Sequence, residues 1–216
     1  MKIEIWSDFN CPFCYMGENA LYQALESLNI IEECEIFHYC YQLDPRAPKQ
    51  TSLSFKESFM KKYDISEQEA LALMESIAQK AQAFGLNYAM DKIIPTQTLD
   101  AHRLAKHLSL NHPSIHTQLY KGYFTDGLDL SSHEDLLKIS ASLGVHRDEI
   151  LSILNSSQYL SDCLQDQKRA KELNISGVPH ILINGRHVLH GAYPKEELEE
   201  KLKTFILSDI KRRNHE

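Results

Sequence analysis

The chain has 216 residues, 43% of them hydrophobic and 25% charged, with a formal net charge of -7 at pH 7. That is the composition of a globular protein with enough core for one large domain or for a domain with an insertion, and its acidic balance argues against nucleic acid as a partner. No apolar run approaches membrane-spanning length, and the N-terminal "MKIEIWSDF" alternates apolar and charged residues instead of forming a signal-peptide core, so a cytoplasmic protein with no membrane partner is expected.

Lys2, Glu4 and Trp6 alternate with Ile3, Ile5 and Ser7, which predicts a short strand. Pro12 suits the first position of a helix running to about Leu28, with Asn29 able to end it. "CEIFHYCYQL", Cys34 to Leu43, is rich in aromatic and β-branched residues and reads as a second strand, broken by the two prolines of "DPRAPKQ". From about Ser52 to Leu173 nearly everything reads as helix. Ser66 and Glu69 stand in capping-box spacing, Gly85 can close the helix they open, and further helices start near Thr98, Pro113 and Ser132, with two more between Arg147 and Leu173. The pattern then returns to short β-like runs, "VPHILING" and "RHVLHG", around Asn184-Gly185, a strong hairpin signal. Pro194 begins a last amphipathic helix. The basic cluster in "DIKRRNHE" reads as cations in that helix's final turn.

The order is therefore strand, helix, strand, helical block, hairpin, helix. It predicts an α/β fold in which residues 1–50 and 174–216 form one discontinuous unit and residues 51–173 a helical domain inserted after the second strand.

Cys11 and Cys14 stand two residues apart where the first strand meets the first helix. Three readings compete: a redox pair, half of a metal site, or two packing residues. Five cysteines in a reducing compartment are not a disulfide framework, and a close pair there points to catalysis or metal. At a helix N-terminus the unpaired backbone N–H groups and the macrodipole favour thiolate at Cys11. Cys14, one turn inward, is near enough for a disulfide but less exposed. Cys11 would then attack and Cys14 resolve. Zinc needs a second ligand pair. Cys34 and Cys40, six apart in the predicted strand, would stand roughly 20 Å from one another. His112 and His116, the nearest thing to a ligand pair, read as a solvated helix face. No metal is expected, and Cys34, Cys40 and Cys163 read as packing residues.

The C-P-x-C at the first strand-to-helix turn, "DAHRLAKHL" in the helical block and "ISGVPHILINGRHVLHGAYP" near the end together resemble the DsbA-like branch of the thioredoxin superfamily, and within it the FrnE-like group of cytoplasmic proteins. The resemblance covers almost the whole chain. It implies a thioredoxin-like fold with a helical insertion and a thiol–disulfide oxidoreductase or isomerase. Cys11 matches the nucleophile and Cys14 the resolving thiol, supported by Pro12, Phe13 and the cis-proline position Pro179. Val178 matches the backbone that receives an extended peptide or glutathione, and His180 and His102 stand at positions facing substrate. For His102 a hydrogen-bonded core histidine is the equal alternative, and His180 can simply begin a strand.

The chain departs from the group's pattern in several places. Phe13 replaces a frequent Trp, Gln97 replaces an Asn, and "GAYP" stands for "GAQP". At the place where thioredoxins bury a carboxylate stands Ile5, with Glu4 beside it. Because Phe13 offers no hydrogen-bond donor, the resemblance implies a less oxidising pair than DsbA, near -120 mV (roughly). No tightly bound cofactor is implied, with glutathione as a candidate co-substrate. The implied partner is a disulfide- or thiol-containing protein or a small-molecule thiol, acting on a monomer or homodimer. Two rivals remain. One is a glutathione-dependent isomerase or transferase of the 2-hydroxychromene-2-carboxylate isomerase or kappa-class type, which has no need of Cys14. The other is a non-enzymatic partner-binding protein.

Overall fold

The computed structural model describes residues 1–49 and 51–213. Four strands, β1 (Lys2–Ser7), β2 (Glu35–Cys40), β3 (His180–Ile183) and β4 (His187–His190), form one mixed sheet in the order β2-β1-β3-β4. β1 is central, parallel to β2 and antiparallel to β3, which pairs antiparallel with β4. In β1 only Lys2 is exposed. The apolar–polar alternation of this strand therefore does not mark a wet face: Glu4, Trp6 and Ser7 are as buried as Ile3 and Ile5, because helices cover both sides.

Helix α1 (Pro12–Ser27) carries the chain from β1 to β2. It ends at Asn29, whose φ of 54° lets the N–H groups of Asn29 and Ile30 reach back to the Glu26 and Leu25 carbonyls. The second strand is shorter than the run from Cys34 to Leu43. The Cys34 thiol lies before it and donates to the Ile30 carbonyl at 3.1 Å. At the other end, the Cys40 N–H turns to the Asp166 carboxylate at 2.8 Å and the Leu43 N–H to Asp8 at 2.7 Å. Side chains thus take over from the ladder.

Among the described residues seven helices separate β2 from β3: α2 (Phe55–Tyr63), α3 (Glu67–Ala83), α4 (Leu99–Leu108), α5 (Ile115–Phe124), α6 (His133–Ala141), α7 (Arg147–Leu154) and α8 (Leu160–Glu172). Ser66 and Glu69 form a capping box at α3, as their spacing predicts, and Ser54 and Glu57 form another at α2. The Asn184-Gly185 turn has positive φ at both residues, 50° and 70°, the geometry that closes a two-residue hairpin between β3 and β4. Helix α9 (Lys195–Arg213) follows and packs on α1. The basic cluster lies at its end, and Asn214–Glu216 are outside the described residues, as is Gln50 at the anticipated domain boundary.

One apolar cluster joins Ile3 and Ile5 to Leu21 and Leu25 of α1, Ile181 of β3 and Leu198 of α9. A larger one fills the helical block and takes in Phe9, Cys11, Cys14, Tyr15 and Met16. The N-terminal end of α1 is thereby gripped between the sheet and the inserted helices. A small third cluster, Trp6 with Ala170 and Ile175, seats α8 on the other face of the sheet. Although α8 falls inside 51–173, it packs on β2 as well as on α4.

Candidate active site

Cys11 is the N-cap residue of α1, with extended backbone (φ -92°, ψ 111°) and Pro12 behind it at the first helical position. Its N–H donates to the Asp8 carbonyl at 3.0 Å, and its own carbonyl receives the Cys14 N–H at 3.1 Å. This first turn places both sulfurs on one side of the helix end. The Cys11 thiol points to the Val178 carbonyl, 3.7 Å away, and the Val178–Pro179 peptide is cis. Gly17, one turn beyond, lets that loop approach. A Cβ there would sit 3.2 Å from Pro179 Cγ and 3.5 Å from Ala192 Cα.

The two thiols differ in environment. Cys11 keeps 4% of its surface exposed and Cys14 none. Burial pushes the Cys14 pKa well above that of an ordinary thiol, and the adjacent Cys11 sulfur pushes it further, against a smaller opposing contribution from the Asp8 backbone. Phe13, between them, is 37% exposed, with the Lys80 ammonium 5.7 Å from its ring centroid. Tyr88 donates its hydroxyl proton to the Pro12 carbonyl at 2.7 Å, so the turn is held from the inserted domain.

A family model, DSBA-like thioredoxin domain, matches residues 2–203. The chain belongs to that family. Its fold is the thioredoxin-like fold of the DsbA type, with the helical insertion. A probable DsbA oxidoreductase from Streptomyces coelicolor superimposes with a TM-score of 0.87 at 27% identity, covering 94% of this chain and 89% of its own. The cytosolic disulfide reductase DsbM of Pseudomonas aeruginosa, a structure of which also exists with GSH, has a TM-score of 0.65 at 13% identity over 95% and 98% of the two chains. A 2-hydroxychromene-2-carboxylate isomerase has a TM-score of 0.63 at 14% identity over 100% and 98%.

In this DsbA-like frame, Cys11, Pro12, Phe13, Cys14, Val178 and Pro179 come together, and the two candidate substrate-facing histidines make their hydrogen bonds to other side chains. His102 is buried, its Nε2 3.3 Å from Asp8 Oδ1 and its ring 4.6 Å from that of Phe9. Asp8 also accepts from the Thr98 hydroxyl at 2.6 Å. His102 therefore meets the segment leading into the dithiol through Phe9 and through Asp8, whose carbonyl holds the Cys11 N–H. His180 begins β3, edge-on to Trp6, with its Nδ1 3.2 Å from His190 Nδ1. Burial, then the neighbouring His190, hold its pKa below the usual imidazole range.

The carboxyl behind the dithiol comes from an unexpected place. Glu4 is buried but turned toward α8, paired with Arg169 and accepting from Tyr39. Glu18, one helical turn after Cys14, is 3% exposed, and burial pushes its carboxyl up to about 7 against hydrogen bonds from Tyr120 and Ser7. The i, i+4 spacing of Cys14 and Glu18 on an otherwise apolar helix face was the available signal.

One further reading is corrected. His116 does not lie on a solvated face: it is 6% exposed, because Ile115, Leu119 and Tyr120 turn that side of α5 into the core. Cys40 and Cys163 are both buried, as packing residues would be. Burial first, then the neighbouring Cys163 thiol, raise the Cys40 pKa well above the ordinary value. Ser7, His38, Cys40, His102, Lys106 and His116 line a cavity of about 440 Å³ beside the free edge of β2. Among the described residues no helix is long and apolar enough to cross a membrane.

Proposed function

We propose that the chain is a cytosolic thiol–disulfide oxidoreductase that works by dithiol exchange, with Cys11 as nucleophile and Cys14 as resolving thiol. The observation that carries this reading is the asymmetry at the start of α1. One sulfur sits at the helix terminus, pointed at the Val178 carbonyl. The other is fully buried behind it, its pKa raised by burial and by the neighbouring Cys11 sulfur.

In the reductive direction, the Cys11 thiolate attacks a substrate disulfide. A Cys11–substrate mixed disulfide forms, and the first substrate sulfur leaves as thiolate and takes up a proton. Cys14 then loses its proton and attacks Cys11 Sγ, forming the Cys11–Cys14 disulfide and releasing the second substrate sulfur. Two electrons pass from the dithiol to the substrate. The Val178 backbone, exposed to the sulfur by the following proline, is the proposed docking edge for an extended peptide or for glutathione. Both could pair there without a side chain dictating sequence. Glutathione is the proposed reductant that returns the disulfide to dithiol. The cytosolic setting is supported by the DsbM likeness and by the absence of any apolar helix of spanning length among the described residues.

The test is Cys14→Ser. Dithiol turnover, followed with glutathione and a disulfide substrate, is expected to fall at least about 100-fold, while a mixed disulfide at Cys11 accumulates and is visible by intact mass. Full activity in Cys14→Ser, together with glutathione-dependent isomerase activity, would move the chain to the isomerase reading.

A further inference from the structure

We infer that Glu18, His38 and His116 form a binding site for a divalent transition metal ion of the zinc(II) class, one helical turn beyond Cys14 and using neither thiol of the dithiol. The three side chains come from different elements, α1, β2 and α5, and their ligand atoms lie within 4.8 Å of one another. His38 Nδ1 and Glu18 Oε2 are 3.4 Å apart. Tetrahedral ligands at 2.0–2.1 Å from zinc stand about 3.3 Å from each other, so one edge of the coordination figure is already formed. The two imidazole rings lie face to face, with centroids 3.7 Å apart.

The polar atoms of the trio divide into two sets. On the outer side each residue is held by a hydroxyl: His38 Nε2 by Tyr22 at 2.9 Å, His116 Nε2 by Ser109 at 3.1 Å, and Glu18 Oε1 by the Tyr120 hydroxyl proton at 2.7 Å. On the inner side His38 Nδ1, His116 Nδ1 and Glu18 Oε2 are buried with no hydrogen-bond partner among the described residues. Buried polar atoms without partners are uncommon, and three in one place ask for a shared cause. A cation supplies it. Outer hydrogen bonds fix each ring and carboxylate and leave the inner atoms, within 4.8 Å of one another, for a shared ion, the arrangement seen around metal ligands.

Two imidazoles and a carboxylate suit Zn²⁺ or Fe²⁺ better than the all-oxygen cations. His38 and His116 also line the cavity beside β2, which offers a path in and room for a fourth ligand. The nearby Lys106 ammonium does not stand free against the site, being paired with Asp166 at 2.6 Å.

The decisive experiment is Co²⁺ and Zn²⁺ binding to the full chain, by absorption and by metal analysis after desalting. Because the dithiol and the Cys40–Cys163 pair can also take these ions, Cys11→Ser/Cys14→Ser and Cys40→Ala/Cys163→Ala are run beside the native protein. About one equivalent is expected to remain when both pairs are replaced together, with no thiolate-to-cobalt absorption from that equivalent. Glu18→Gln and His116→Asn are each expected to weaken binding more than about tenfold, as is Tyr22→Phe, which removes only an outer hydrogen bond and keeps the test valid should a ligand variant fail to fold. Zn²⁺ should also raise the melting temperature of the native chain and not that of Glu18→Gln. Failure of the native chain to retain metal, a thiolate signature that vanishes with either cysteine pair, or unchanged affinity in both Glu18→Gln and Tyr22→Phe would overturn the site.

Discussion

Cys11 and Cys14 are chemically the same and differ only in where α1 puts them. At about pH 7 a thiol held well above its ordinary pKa is protonated and unreactive. Cys14 meets that description, through burial first and the Cys11 sulfur second. Iodoacetamide added to the reduced protein is therefore expected to label Cys11 well before Cys14, and Cys14 labelling should rise only as pH climbs above the ordinary thiol range of about 8.5. Peptide mapping of labelled protein across pH measures this directly, and Cys14 reacting as fast as Cys11 near neutrality would contradict it. The contrast between the cysteines was legible in the sequence, because a proline after Cys11 marks the helix start and hence the N-cap. The clustering of Glu18, His38 and His116 was not. Each is a polar residue whose surroundings are supplied by elements distant in the chain, and local pattern assigns such residues to solvent.

At the scale of elements, Gly17 is where α1 meets the loop around Pro179. Its lack of a side chain permits the approach that sets Val178 beside Cys11. Gly17→Val is expected to destabilise the fold by about 1–3 kcal/mol through overpacking and to slow exchange at Cys11 by displacing that loop. Urea unfolding and a disulfide-exchange rate, taken together, check both effects.

A second joint lies in the insertion. Arg103 donates to Asp100 at 2.8 Å and to the carbonyls of Ile153, Ser156 and Gln158, tying α4 to the end of α7 and the segment leading into α8. Burial alone would raise the Asp100 carboxyl, but hydrogen bonds from Lys49 and Arg103 outweigh it and hold the pKa below the usual range. Asp100→Asn is expected to cost about 3 kcal/mol near neutral pH, because a buried guanidinium loses its anion. The sign of the pH dependence follows from the lowered pKa. The native protein's advantage is complete above the unfolded-state value of about 3.9 and disappears as pH falls through the lower folded-state value. Denaturation of both proteins across the acid range tests this, and a constant gap down to the lowest pH would contradict it. Within "DAHRLAKHL", a stretch that carries the family resemblance, the visible work of Arg103 is to hold helices together.

In the molecule as a whole, the chain runs strand, helix, strand, then out into seven helices before returning to complete the sheet. Most of this was legible because each element carries its own punctuation: Pro12 at a helix start, Ser66 with Glu69 at another, Asn184-Gly185 at the hairpin. What pattern could not reveal was how α8 folds back over β2. That packing covers Trp6, leaves only Lys2 of a seemingly half-exposed β1 in solvent and brings Cys163 to Cys40. The same arrangement wedges the start of α1 between sheet and insertion, so the dithiol is built by both.

The most direct measurement is a redox titration of the intact protein in glutathione buffers of graded potential, with free thiols trapped by alkylation and counted by intact mass. The expected result is a single two-thiol transition, absent in Cys11→Ser and in Cys14→Ser, with a midpoint more negative than the roughly -120 mV of DsbA. If all five thiols remain free to react across the whole range, Cys11 and Cys14 are not a redox pair, and the dithiol mechanism is wrong.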